Sequence, residues 1–176
     1  YDDEGGGHAA RLIWTLEVLG HRAASLLNGG LFSWANEGHP LEAGEVSPQP
    51  ARFQAQADPE PVADAEFILQ RLNQPELALV DARSPAEYSG ERRYSARGGH
   101  IPGAVNWDWV NLMDQRRNLR LRPAAELRQA LAGFGVRPEQ TVVTYCQTHH
   151  RSSLMYVALR SLGYPRVKGY PGSWSD

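Results

Sequence analysis

Thr141-Val142-Val143-Thr144-Tyr145-Cys146-Gln147-Thr148-His149-His150-Arg151-Ser152-Ser153 joins the most strand-like run of the chain to a helical pattern through a short polar loop. Residues 141–145 are β-branched or aromatic throughout, the side chains that pack best on a pleated surface. A helix is predicted over residues 152–162. So short a connection must curl, which turns successive backbone N–H groups inward and adds the positive end of the helix dipole. The result is a nest for an anion, with Cys146 at the carboxyl end of the strand. The thiolate is the form such a field favours. Arg151, and His149 or His150 when protonated, would add positive charge at the same point. A cysteine that merely fills a core needs no polar, cationic loop around it, whereas a nucleophile does.

The flanking residues supply a sheet and its covering helices. Residues 62–73 place Phe67, Ile68, Leu69 and Leu72 at helical spacing behind Asp64, a suitable N-cap. Leu77-Ala78-Leu79-Val80 is a continuous apolar run ending at Asp81, the pattern of a strand buried on both faces. Pro85 fits the first position of a short helix, with Ser84 before it. His100-Ile101-Pro102-Gly103-Ala104 makes a turn leading to a short strand near Val105-Asn106-Trp107. Residues 123–132 form a helix with Leu127 and Leu131 inward, closed by Gly133 and Gly135. Arg166-Val167-Lys168 gives a further strand. Strands alternating with helices imply an α/β fold with a parallel sheet covered on both faces, whose chemistry gathers at the carboxyl ends of its strands.

The chain also repeats itself. Tyr1-Asp2, a glycine-rich loop at Gly5-Gly6-Gly7, a helical pattern ending Val18-Leu19-Gly20, and then Asn28-Gly29-Gly30 parallel Tyr145-Cys146, a polar loop, a helical pattern ending Ser161-Leu162-Gly163, and Pro171-Gly172-Ser173. Asp2 stands where the second copy has Cys146. Residues 1–40 therefore read as the closing part of an incomplete upstream domain. Residues 41–58, flanked and interrupted by Pro40, Pro48, Pro50 and Pro59, have linker composition. The second domain takes residues 59–176, and residues 52–56 are a candidate edge strand at its entry.

Composition narrows the function. The 176 residues are 41% hydrophobic and 22% charged, as in a globular protein. A formal charge of −2 advertises neither nucleic acid nor anionic lipid, and no apolar run suits a membrane span. One cysteine excludes a disulfide framework and multi-cysteine metal centres. One thiol and the neighbouring His149 and His150 make poor tetrahedral geometry, so no metal and no cofactor are expected. The cluster Arg116, Arg117, Arg120 and Arg122 reads as a solvated face, and His100 as structural. A cytoplasmic location is expected.

The combination of Asp81-Ala82-Arg83 with Glu87-Tyr88, then His100-Ile101-Pro102-Gly103-Ala104, then Cys146 and its loop, then Gly169-Tyr170-Pro171-Gly172-Ser173-Trp174, resembles the rhodanese homology domain. The loop Cys-Gln-Thr-His-His-Arg is similar to that of bacterial tandem-domain thiosulfate sulfurtransferases of the Azotobacter type. The resemblance implies a three-layer α/β/α rhodanese-like fold, preceded by the tail of an inactive copy of the same module. It further implies a double displacement in which Cys146 carries sulfane sulfur as a persulfide from thiosulfate or a similar anion to cyanide or another thiophilic acceptor. Cys146 is then catalytic. Arg151, Gln147, Thr148, His149, His150 and Ser152 are substrate-binding candidates, and Asp81 and Arg83 support the loop.

Two departures from the animal enzymes stand out: Gln147 and Thr148 replace a basic pair after the cysteine, and Glu87 stands where a second substrate arginine would be. These departures leave open a persulfide carrier that serves a partner protein. A cysteine phosphatase or arsenate reductase needs arginine as the sixth residue after cysteine, and Arg151 is the fifth.

Overall fold

A computed structural model describes all 176 residues. Its sheet is built on β5 (Thr141–Tyr145) and β1 (Leu77–Asp81), which pair in parallel from Leu77 opposite Thr141 to Asp81 opposite Tyr145. β2 (Val105–Asn106) flanks β1 and β6 (Val167–Gly169) flanks β5, giving the parallel order β2-β1-β5-β6. Side chains alternate across a strand, so each central strand feeds two cores. Ala78, Val80 and Val142 join one apolar cluster, and Leu79, Val143 and Tyr145 join the other. α5 (Ala124–Gly133) and α6 (Arg151–Ser161) cover the first face with Leu127, Leu131, Leu154, Met155 and Leu159. α3 (Ala65–Arg71) covers the second face with Ile68, and the Asp64 carboxylate accepts from the Phe67 N–H as expected. The expected three layers are present.

α1 (Gly7–Val18) lies on the same side as α6 and contributes Ala10 and Trp14 to the first cluster. Its C-terminus repeats that of α6 bond for bond. Gly20 donates to the Glu17 carbonyl and His21 to that of Leu16, as Gly163 donates to Arg160 and Tyr164 to Leu159. Gly20 and Gly163 take left-handed φ of 85° and 87°, the backbone state that ends a helix most cheaply at glycine. α2 (Gly30–Asn36) follows.

Two local expectations are corrected. Residues 52–56 form no strand: the Gln56 and Asp58 amides donate to the Leu19 and Val18 carbonyls, the unsatisfied acceptors at the end of α1. The sheet edge is met slightly later, where Ala63 donates to the Gly169 carbonyl and Gly169 to that of Pro61. The arginine-rich stretch carries a small antiparallel hairpin of β3 (Met113–Asp114) and β4 (Arg120–Leu121), turned through left-handed Asn118 and Leu119. Its Arg120 is paired with Glu37 rather than free in solvent. α4 (Pro85–Ser89) begins at Ser84 with a reciprocal capping box to Glu87.

Candidate active site

Cys146 follows directly on β5 and is a free thiol, 1% exposed. Its backbone is pinned on both sides, the amide donating to Ser173 Oγ at 3.3 Å and the carbonyl accepting from the Trp174 amide at 3.0 Å. Beyond it the chain curls through residues 147–150 into α6, with His149 at φ 60° making the bend. None of the amides of Gln147, Thr148, His149, His150, Arg151 and Ser152 donates to a protein acceptor; the first to do so is Ser153, to the His150 carbonyl. Six consecutive unused donors at the start of an 11-residue helix make the anion nest foreseen from the sequence.

The charge at this nest is more balanced than the sequence implied. Arg151 binds Glu87 in a bidentate pair, with Nη1 donating to Oε2 and Nη2 to Oε1, each at 2.7 Å. Burial pushes the Glu87 carboxyl up, but Arg151 and Ser84 outweigh it and bring its pKa down to about 2. The bond to Glu87 and the charges of Cys146 and Glu87 hold Arg151 firmly protonated against its partial burial. The pair is thus neutral as a unit at pH 7. A guanidinium has five N–H donors, so Arg151 keeps others for a ligand, yet the pull on an anion falls mainly to the amides.

The remaining candidates separate. His149 is 0% exposed and packs edge-on to Trp14, with ring centres 4.6 Å apart. Its Nδ1 lies 2.8 Å from Ser152 Oγ, and burial lowers its pKa to about 3, so it is a neutral strut beneath the loop and does not supply the cation expected of it. Gly169 makes room for it, since a Cβ there would sit 2.1 Å from His149 Nε2. Ser152 is likewise fully buried, its hydroxyl on His149 and its carbonyl accepting from Thr144 Oγ1. Both side chains lie beneath the loop, while their backbone amides remain among the six unused donors. The Gln147 side-chain nitrogen Nε2 donates to Ser95 Oγ at 2.6 Å, and Thr148 offers its carbonyl to Arg11 Nη1 at 2.9 Å. His150 is half-buried and turns to Glu4, 2.8 Å away.

Asp81 receives no hydrogen bond from the loop. It binds Arg83 through the backbone amide, Nε and Nη2, the last at 2.6 Å, both side chains being sealed from solvent. Arg83 also donates to the Gly99 carbonyl and lies under Trp174. Asp81 and Arg83 are therefore a structural pair at the base of the site. His100 stacks on Tyr88, a structural place as expected.

Sequence reasoning missed Glu87 as the partner of Arg151, and Glu4, Arg11 and Trp14 as supports of residues 148–150. No local pattern marks these contacts, which span 64 to 146 positions. The loop around Asp2 is a filled version of the same nest: Asp2 Oδ1 accepts from the Glu4 and Gly6 amides and Oδ2 from that of Ala9. Burial raises its carboxyl, and the three amides more than reverse this, holding it below its ordinary value.

A parallel α/β sheet with a lone cysteine at the carboxyl end of a central strand, opening into an amide-lined loop, defines a class that the family comparison makes specific. The Rhodanese-like domain matches residues 64–176, and the chain belongs to that family. Across all 176 residues it is 48% identical to a thiosulfate sulfurtransferase of Azotobacter vinelandii, of which it spans 64%. It is 34% identical to a sulfur carrier protein of Thermus thermophilus, covering 66% of that protein and all of this chain. The chain thus spans about two thirds of the length of these relatives. Among solved structures, the anaerobic ergothioneine biosynthesis enzyme from Chlorobium limicola, in complex with trimethyl histidine, superposes with a TM-score of 0.85. It is 27% identical, over 94% of this chain and 42% of that one.

Proposed function

We propose that the chain moves sulfane sulfur through a Cys146 persulfide, from thiosulfate or a similar donor to cyanide or another thiophile. The Cys146 thiolate attacks the outer sulfur of thiosulfate, a new S–S bond forms, and the old one breaks with its electron pair leaving on sulfite. The acceptor then attacks the outer sulfur, which departs with the acceptor and returns Cys146 to thiolate; with cyanide the product is thiocyanate. The observation that carries this reading is the run of six unused amides directly after Cys146, donors suited to an anionic donor and an anionic persulfide alike. Arg151 steadies the donor's oxygens through its N–H groups not engaged by Glu87. Residues 1–40 are the end of an inactive copy whose Asp2 occupies its own nest, residues 41–58 are the linker, and residues 59–176 are the catalytic domain. A lone thiol suits the reducing cytoplasm, where we place the protein.

Intact-mass spectrometry tests this. Thiosulfate should add the mass of one sulfur atom to the wild type and none to Cys146→Ser, and cyanide should remove it. No sulfur uptake, or hydrolysis of an aryl phosphate in its place, contradicts the proposal.

A second reading, delivery of the sulfur to a partner protein, is favoured by the Arg151–Glu87 pair, because it leaves the site with little net positive charge for a free dianion. On that reading a protein thiol discharges the persulfide faster than cyanide does.

A further inference from the structure

We propose that Glu4, His8 and His150 form a site for one divalent cation of borderline character, Zn2+ being the type case, which links the N-terminal segment to the active loop. Glu4 Oε1 lies 2.7 Å from His8 Nδ1 and 2.8 Å from His150 Nε2, and all three candidate ligand atoms fall within 4.8 Å of one another. The two imidazoles stand edge to face with centres 4.3 Å apart, each with a ring nitrogen against Glu4 Oε1. Two imidazole nitrogens and a carboxylate oxygen are a ligand set that zinc takes with a fourth position open to water. Bonds of about 2.0–2.2 Å put tetrahedral ligand atoms roughly 3.3 Å apart. The Glu4 oxygen must therefore withdraw by about half an ångström while the imidazoles close in, a movement within reach of these side-chain torsions.

A separate observation points to the same place. Gly7 has no left-handed φ to explain it, yet a Cβ there would lie 2.9 Å from both Glu4 Oε1 and His150 Nε2, and 3.2 Å from Trp109. The glycine keeps open the space in which these ligand atoms meet. His8 is largely exposed, which leaves an approach for the ion and its water. The site differs from the Cys146, His149 and His150 grouping rejected on sequence, because His149 is buried against Trp14 and takes no part. Glu4 and His8 are four residues apart, but His150 comes from 142 positions further on, so the sequence does not announce the trio. His150 lies four residues after Cys146, and a cation held here would fix the second half of the nest against the start of α1.

Isothermal titration of the chelator-treated chain with zinc chloride tests the site without reference to sulfur transfer. One ion per chain should bind. Cys146→Ser should bind it equally well, while His8→Ala and Glu4→Gln should each weaken it by more than about tenfold, the lower range even for second-shell partners of a ligand. Cobalt(II) should give visible ligand-field bands without the near-ultraviolet charge-transfer band of a thiolate. No stoichiometric uptake, loss of binding in Cys146→Ser with retention in His8→Ala, or a thiolate band would overturn the proposal.

Discussion

The two loops that open α1 and α6 are built alike and used in opposite ways. In the first, the Asp2 carboxylate accepts two amides of its own loop and one from the first turn of α1. In the second, Cys146 brings a single sulfur and no oxygens, and the six amides after it remain free. The first loop shows that this curl satisfies itself around a built-in anion; the second keeps the donors for an anion that comes and goes. One side chain thus decides between a structural cap and a site for chemistry.

The largest effect is expected from Cys146→Asp, which should turn the second loop into a likeness of the first. Sulfur uptake by mass spectrometry should vanish while the thermal transition stays cooperative, because the new carboxylate finds waiting amides. A variant that fails to fold while Cys146→Ser folds normally would show that the second nest cannot hold a carboxylate. Next is Gly169→Ala. The added methyl meets the His149 ring, and overpacking a closed interior costs about 3 kcal/mol at the upper end of its usual range. Denaturant titration should find that loss, with no sign of the usual tolerance for alanine in a strand.

Glu87→Gln is expected to be milder in stability and more telling in kinetics. Breaking a fully buried ion pair costs roughly 3–5 kcal/mol. Glutamine keeps part of the hydrogen bonding and Arg151 is 24% exposed, so about 1–2 kcal/mol is expected. Freed of its counter-charge, Arg151 should draw thiosulfate more strongly, seen as a lower KM in steady-state assays; a raised KM would mean that the pair orients Arg151 productively instead.

The pH dependence tests the same two groups without a substitution. Glu87 has a folded pKa lowered to about 2, so its stabilisation is full above the unfolded carboxyl range near pH 4.5 and is lost as pH falls toward 2. His149, lowered to about 3, is neutral when folded; the unfolded chain takes up its proton below about pH 6.5, so stability declines from there as pH falls toward 3. Thermal melts should fall on the acid side, and His149→Gln should flatten the segment between about pH 6.5 and 4.5.

Much of the sheet could be foreseen because its signals are local. The apolar run at 77–80, the β-branched run at 141–145 and the caps at Asp64 and Ser84 each specify their element within a few residues. The nest after Cys146 was equally legible, since a short strand-to-helix loop has few ways to turn. What escaped depends on partners far away in the chain. Glu87 could be placed in a capping box from Ser84, but not against Arg151, 64 positions on. His149 and His150 look equivalent in sequence, yet the left-handed φ of His149 sends one ring under the loop and leaves the other beside Glu4. The failed strand at 52–56 has the same origin, for the carbonyls that claimed its backbone belong to the end of α1.

Amide NMR of the 15N-labelled chain before and after stoichiometric thiosulfate reads the free amides after Cys146 directly. With one sulfur atom confirmed on Cys146, several amide protons among residues 147–152 should move downfield as they come to donate to the new terminal sulfur. If that sulfur is present and those resonances stay in place while only the signals of residues 145 and 146 shift, the nest does not hold the persulfide.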